Sequence, residues 1–287
     1  MTAAGLERAR IVLERSEGTS YAVTLVRAAD LDSAVASGAT GASPVVIVAP
    51  AMGMGARYYE PLLEALAAAG VHAAVAEQRG HEAAGGRLPG RDYDFGYAEL
   101  VEDLGRAIEA VRTELPGAPV FLLGHSLGGQ VAAAYLGAHP GDLAGLIQVG
   151  SSSPHWRSWG AKLLLASYAF PLAAAVVGHF PGKHLRFAGR EARGVFRDWG
   201  ILARTGRLPV GDDGLADAAV PVLAVSIEGD DLAPVRAVDA MAARLTSAAV
   251  TRVHVDAEGI DHFRWARRAD PVVPLIADWL RTVRRCP

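Results

Sequence analysis

Strand-like and helix-like stretches alternate along most of this chain. Val45–Ala49 is an unbroken apolar run rich in β-branched residues, the pattern of a strand buried on both faces. Tyr58–Ala69 reads as a helix that Gly70 ends, and Val71–Glu77 as the next strand. In Tyr97–Leu115 the apolar positions Leu100, Leu104, Ile108, Val111 and Leu115 recur at spacings of three and four, which predicts an amphipathic helix closed by Pro116-Gly117. Pro119–Leu123 predicts a strand, a small-residue helix runs from Gly129 to Leu136, and Leu143–Val149 predicts another strand. Upstream, Ala9–Glu14 and Tyr21–Arg27 read as an opening hairpin joined through Ser16-Glu17-Gly18-Thr19, before a small-residue polar stretch from Asp30 to Ser43.

The alternation breaks at Ser151. Between there and Gly214 no strand is evident, and helix-like apolar segments are punctuated by Pro171, Pro181-Gly182 and Pro209. The alternation resumes with Val220–Ile227 (strand), Val235–Leu245 (helix), Thr251–Asp256 (strand) and Val272–Val283 (amphipathic helix). Repeated strand–helix units predict a mainly parallel sheet with helices on both faces. The expected organisation is therefore a core of residues 1–150 and 215–287, with a helical cap at 151–214 inserted where strands end. Ligands bind on that side of open α/β sheets.

Composition narrows the partners. The 287 residues carry 28 Lys and Arg against 31 Asp and Glu, a net charge of −3 that gives no electrostatic reason to expect nucleic acid. The single cysteine, Cys286, allows no intrachain disulfide and no thiolate metal site. With no signal peptide visible in the charged segment Met1–Arg15, this fits a cytoplasmic protein. Leu163–Phe180 is the one membrane suspect. A spanning helix needs about 20 predominantly apolar residues, and Pro171, Gly178 and His179 interrupt this stretch, so it is read as a buried or pocket-lining helix pair.

The chemistry is concentrated in Gly124-His125-Ser126-Leu127-Gly128, set between the predicted strand and the small-residue helix. A strand, a Gly-x-Ser-x-Gly pentad and a helix form the signature of a nucleophile elbow, a tight turn that presents one serine hydroxyl at a helix N-terminus. With 32 glycines a chance pentad is plausible; the flanking elements and the downstream chain raise its weight. A serine hydroxyl needs a base, and the base needs a group to fix its tautomer. The strand Val220–Ile227 leads into Glu228-Gly229-Asp230-Asp231-Leu232-Ala233-Pro234, and Thr251–Asp256 leads into a loop holding Asp261-His262-Phe263. Serine, acid and histidine thus follow one another in chain order, each after a strand.

On these motifs the chain resembles the α/β-hydrolase superfamily over about residues 20 to 284. The resemblance implies an α/β-hydrolase fold with Ser126 as nucleophile and His262 as base. It implies Asp230 as the acid, because the family's aspartate lies four residues before a proline; Asp231 stays open as the alternative. It also implies an oxyanion hole of the Met52 and Leu127 amides. Arg79-Gly80-His81 is similar to the family's turn after the fourth strand. There are departures. The loop Ala49-Pro50-Ala51-Met52-Gly53-Met54-Gly55 lacks the His-Gly common before the oxyanion residue, Gln78 stands where an aspartate is usual, and Glu82 where a glycine is frequent. Phe180-Pro181-Gly182-Lys183 and His262-Phe263-Arg264-Trp265 are similar to a bacterial group of predicted hydrolases without assigned substrate.

Bland readings stand beside these. Asp230 and Asp231 could cap the following helix, and His262 alone could be a structural histidine. His125, buried within the elbow, is assigned no catalytic role. His81, His155, His179 and His184 lack metal-ligand spacing, and Gly53-Met54-Gly55 lacks the full spacing of a phosphate loop. No cofactor or metal is expected. The expected function is a serine hydrolase acting on an ester, thioester or amide of a modest apolar small molecule. Its alternatives are an acyltransferase, a carbon–carbon bond hydrolase or a cofactor-free haloperoxidase on the same fold, or a non-catalytic binding scaffold. Trp156, Trp159, Phe170 and Phe180 suggest an apolar pocket or simply a cap core, and Tyr58 and Tyr59 face that pocket or open a helix. Oligomeric state is not readable.

Overall fold

The computed structural model describes residues 6–28, 42–182 and 188–284. Lys183, His184, Cys286, most of the Asp30–Ser43 stretch and the first five residues lie outside the described residues. Among the described residues ten strands form: β1 Arg8–Glu14, β2 Ser20–Val26, β3 Val45–Ala49, β4 His72–Ala76, β5 Val120–His125, β6 Gly145–Val149, β7 Phe180–Pro181, β8 Arg190–Glu191, β9 Pro221–Ile227 and β10 Ala249–Val255. Eight of them make one sheet in the order β1-β2-β4-β3-β5-β6-β9-β10. The β1/β2 hairpin and the β2/β4 pair are antiparallel, and every other pairing in this sheet is parallel. The described α-helices are α1 Glu60–Ala68, α2 Tyr97–Glu114, α3 Leu127–Ala138, α4 Ala161–Val177, α5 Arg193–Thr205, α6 Asp212–Leu215, α7 Val235–Ala242 and α8 Val273–Val283.

Alternation along β3 divides the core into two layers. Val45, Ile47 and Ala49 pack with Leu100, Leu104 and Ile108 of α2 and with α3, while Val46 and Val48 pack with Leu62 and Leu66 of α1 and Ile276 and Leu280 of α8. All five β3 residues are buried, as a strand covered by helices on both faces requires. The α1 segment starts two residues later than its apolar pattern suggests. Ala56–Tyr59 forms a tighter 3₁₀ turn, and Pro61, which has no amide hydrogen to lose, sits in the first helical turn.

The chain leaves the sheet after β6 and returns at β9. Two expectations for this segment need correction. It does contain strand, because β7 and β8 pair antiparallel as a two-residue ribbon. Leu163–Phe180, read as a buried or pocket-lining helix pair, is not a pair and is little buried: it belongs mostly to the single helix α4, in which only Ser167 and Ala174 are fully buried, while Leu163, Ala166 and Phe170 do line a pocket. Leu165, Tyr168, Leu172 and Val176 of α4 face solvent. Pro171 does not break α4 because its partner carbonyl finds another donor. The ring removes the amide that would have bonded Ser167 O, and the Arg204 guanidinium bonds that oxygen instead. Among the described residues, no helix is long and apolar enough to cross a membrane.

The second half of the segment is continuous with the core. Ala192, Val195, Leu202 and Leu215 join the same buried cluster as α2 and α3. Two helix starts also exchange carboxylates. Asp198 Oδ2 accepts from Tyr97 N at the start of α2 (2.9 Å), and Asp94 Oδ1 accepts from Gly194 N at the start of α5 (3.0 Å).

Candidate active site

Ser126 stands between β5 and α3 with φ 53° and ψ −118°, one of two described non-glycine residues with positive φ. Such a conformation costs of order 1–3 kcal/mol and persists only where the surroundings over-determine it. Here glycines allow the close approach. A Cβ on Gly124 would lie 2.2 Å from Gly129 Cα, and one on Gly128 would lie 2.0 Å from Ala49 O and 2.6 Å from Pro50 O. The Ser151 hydroxyl adds a bond to Ser126 O (2.9 Å). Backbone atoms at Ala49 and Pro50 cannot swing away as a long side chain would. Gly128→Ala is therefore expected to destabilise the fold by about 3 kcal/mol, lowering Tm by about 6–12 °C. Gly141→Ala, where a Cβ meets nothing within 4 Å and only the positive φ of 85° is penalised, should cost about 1–2 kcal/mol. Thermal melts of the two variants check the contrast.

The two aspartates after β9 separate clearly. Asp230 is buried and Asp231 exposed. Asp230 Oδ2 and Oδ1 lie 2.8 and 2.9 Å from His262 Nδ1. Oδ1 also accepts from the Leu232 and Ala233 amides at 2.9 Å each, so the carboxylate fixes the loop and meets the imidazole at once. Gly150, at the end of β6, backs this pair. Its φ is 55°, and a Cβ there would lie 3.2 Å from Asp230 Oδ2 and 3.5 Å from His262 Nδ1. Sequence reasoning passed over Gly150; its signal was a glycine directly after a buried strand. Asp261 has a local role instead, its Oδ1 accepting from Phe263 N (2.9 Å) and Arg264 N (2.8 Å) to cap the turn after His262.

Ser126 and His262 open onto one cavity of about 460 Å³. Among the described residues no hydrogen bond joins the Ser126 hydroxyl to the His262 ring. Met52 and Leu127 line the same cavity. In the β3–α1 loop the Ala51 amide is taken by the Tyr59 hydroxyl (2.8 Å) and Met54 N bonds back to Ala51 O (3.1 Å). Leu127 is the first residue of α3, where amides have no intrahelical acceptor.

The cavity's far wall comes from the segment between β6 and β9. Trp159 and Phe170 line it, as do Trp199 and Leu163. Phe180 does not: it is fully buried, stacked on Phe196 with ring centroids 3.7 Å apart. Trp156 sits on a half-buried turn beneath the Arg157 guanidinium. Sequence reasoning also missed Gln130 and Lys162 on the cavity wall. Gln130 is held by Tyr97 Oη (2.6 Å to its Oε1) and donates to Ser152 O (3.0 Å). Its position four residues after Ser126, on the inward face of the elbow helix, was the available signal.

Of the two departures beside Arg79, Glu82 has a local partner, whereas the buried Gln78 Oε1 has no hydrogen bond among the described residues. Arg79 forms a two-bond pair with Asp103 (2.9 and 2.8 Å), and Glu82 is buried against Arg15 (2.6 Å). His81 reaches across to the buried Glu191 of β8 (3.0 Å), and the Gly189 amide bonds the same carboxylate (3.0 Å). Gly53 permits this approach, since a Cβ there would lie 2.8 Å from Gly189 N.

Comparison with known proteins agrees with this architecture. Residues 41–192 match the model of the family described as serine aminopeptidase, S33. A monoacylglycerol lipase of Mycolicibacterium smegmatis is 31% identical over 107 residues, 37% of each chain. The human monoglyceride lipase is 38% identical over 50 residues, 17% of this chain and 16% of that one. The alignments therefore span well under half the length of these curated relatives. Among solved structures, one from work on carboxylesterases of the thaumarchaeon Nitrososphaera gargenis superposes with a TM-score of 0.62 at 17% identity, covering 96% of this chain and 99% of that one. At that identity the likeness shows a shared fold.

Proposed function

We propose that this chain, which belongs to the serine aminopeptidase S33 family of the α/β-hydrolase superfamily, cleaves a carboxylic ester of an apolar small molecule through an acyl-enzyme on Ser126. One observation carries the reading: His262, paired with the buried Asp230 at 2.8 Å, shares a cavity with a serine held at φ 53°. The lipase names of the partial relatives support an ester as the bond cleaved. In this reading residues 151–214 act as the cap over the core, and the single cysteine supports a cytoplasmic setting.

The steps follow from the positions. Asp230 accepts a hydrogen bond from Nδ1–H of His262, which keeps the ring hydrogen on Nδ1 and leaves Nε2 unprotonated and able to act as a base. As substrate enters, the Ser126 hydroxyl turns to His262; such bonds are often loose before substrate binds. Nε2 takes the hydroxyl proton while Oγ attacks the ester carbonyl. The Met52 and Leu127 amides receive the developing oxyanion; one such donor is worth about 3–4 kcal/mol of barrier. The imidazolium, stabilised by Asp230, returns its proton to the leaving alkoxide. A water, deprotonated by the same nitrogen, then releases the acid and restores Ser126. The apolar wall of Leu163, Phe170 and Trp199 would accept the acyl or alcohol chain.

A fluorophosphonate probe tests this directly. One equivalent is expected to attach, and the mass increase should map to the peptide that contains Ser126. A chain-length series of p-nitrophenyl esters should compete with labelling, more strongly as the apolar chain grows. Labelling at another residue, or none in a folded protein, would overturn the proposal and leave the binding-scaffold alternative.

A further inference from the structure

We propose that His125 is a positioning residue, its neutral imidazole held as the Nε2–H tautomer by Tyr59 so that it ties the oxyanion loop to the backbone of His262. The inference rests on the hydrolase reading above, because it concerns how that site is held together.

The direction of every proton in this chain follows from its two ends. The Ala51 amide can only donate, and it donates to the Tyr59 hydroxyl at 2.8 Å. Having accepted there, the phenol uses its own hydrogen toward His125 Nδ1, also 2.8 Å away. Nδ1 is then the acceptor, so Nε2 carries the ring hydrogen. At the other end the His262 carbonyl can only accept, and it lies 2.7 Å from Nε2. Both ends demand the same tautomer.

Nothing competes with this arrangement. Tyr59 and His125 are completely buried, and Ala51 nearly so. Burial, with the neighbouring His262, pushes the His125 pKa down to about 3, so the ring stays neutral across the working range. Its faces and edges are closed by Tyr59, Trp265 and His262, with centroids 5.9, 5.1 and 5.2 Å away.

The placement gives the ring its consequence. His125 directly precedes the proposed nucleophile. Ala51 directly precedes Met52, whose amide is a proposed oxyanion donor. Asp230 fixes the His262 ring through Nδ1, and His125 fixes the backbone of the same residue. Three loops that carry the reacting groups are thus registered against one rigid side chain. Misplacement of about 1 Å at such a site can cost on the order of 100-fold in rate.

A purely structural histidine would alter stability and leave the turnover of folded enzyme unchanged. The test therefore measures kcat and KM on a p-nitrophenyl ester, normalised to the sites titrated by fluorophosphonate. His125→Phe loses both bonds and should lower kcat by about 10–100-fold with KM within about threefold. His125→Gln places an amide donor near the Nε2 position and should recover most of that loss. Tyr59→Phe removes the proton that sets the tautomer and should fall between them. Combined with His125→Phe it should cost less than the two single losses added together, as expected for members of one relay. In wild-type protein, long-range ¹H–¹⁵N spectra of the imidazoles should show His125 as Nε2–H, unchanged from pH 5 to 9. That readout needs neither activity nor a variant that folds. An Nδ1–H ring, titration within that range, or wild-type kcat in His125→Phe would overturn the inference. Ester turnover that survives in Ser126→Ala would instead overturn the hydrolase reading on which it rests.

Discussion

Ser126→Ala is expected to lower ester turnover by about 10⁴–10⁶-fold, the loss seen when a triad nucleophile is removed. What remains would reflect water attacking a carbonyl still polarised by the Met52 and Leu127 amides. The same position offers a second readout. Ser126 holds a φ of 53°, which an L side chain adopts only at a cost of about 1–2 kcal/mol. Ser126→Gly removes both the hydroxyl and that cost, so it should be inactive and melt above wild type. A rise in Tm with a loss of activity is what stored strain at a functional residue predicts. Equal or lower stability in Ser126→Gly would mean that the turn is not under strain. Turnover within tenfold of wild type in Ser126→Ala would remove the serine from the mechanism.

The sheet was legible because its strands are read by composition alone. A strand buried on both faces must be apolar at every position, and Val45–Ala49 and the run before Gly124 meet that condition without reference to neighbours. The loops after β9 and β10 were legible because chain order along an alternating pattern limits where an acid and a histidine can emerge. Three features were not legible, each for its own reason. The α4 segment is apolar all round, which marks a helix without marking its buried side. Solvent meets Leu165, Tyr168, Leu172 and Val176, a face that reads as core in a sequence. The β7/β8 ribbon has two residues per strand, too few for any period to appear. The Tyr59–His125 bond joins residues 66 apart, and each alone reads as ordinary core. Pairwise contacts of this kind have no signature in a single chain of letters. The choice between Asp230 and Asp231 lay at the same limit, since one residue of loop register exchanges them. In the folded chain the Leu232 and Ala233 amides draw Oδ1 of Asp230 inward and leave Asp231 in solvent.

That register yields the second large effect. Asp230→Asn should lower kcat by about 10⁴-fold, as loss of the carboxylate does in other serine triads, whereas Asp231→Asn should stay within about twofold of wild type. The argument is about protons rather than size. The Leu232 and Ala233 amides both bond Oδ1, so an asparagine would keep its carbonyl oxygen there and turn its NH₂ toward His262 Nδ1. A donor facing Nδ1 makes that nitrogen an acceptor and moves the ring hydrogen to Nε2. The base would then present a hydrogen to Ser126 when it must accept one. The imidazolium formed during attack would also lose its counter-charge. Because Asn replaces Asp with almost no change in volume, the folded fraction and KM should hold, and the loss should fall on kcat. Fluorophosphonate labelling should slow in parallel, since the same proton must leave Ser126 for the probe to attach. Equal kcat values for the two variants, or a larger loss at Asp231, would show that the buried pair does not serve the chemistry.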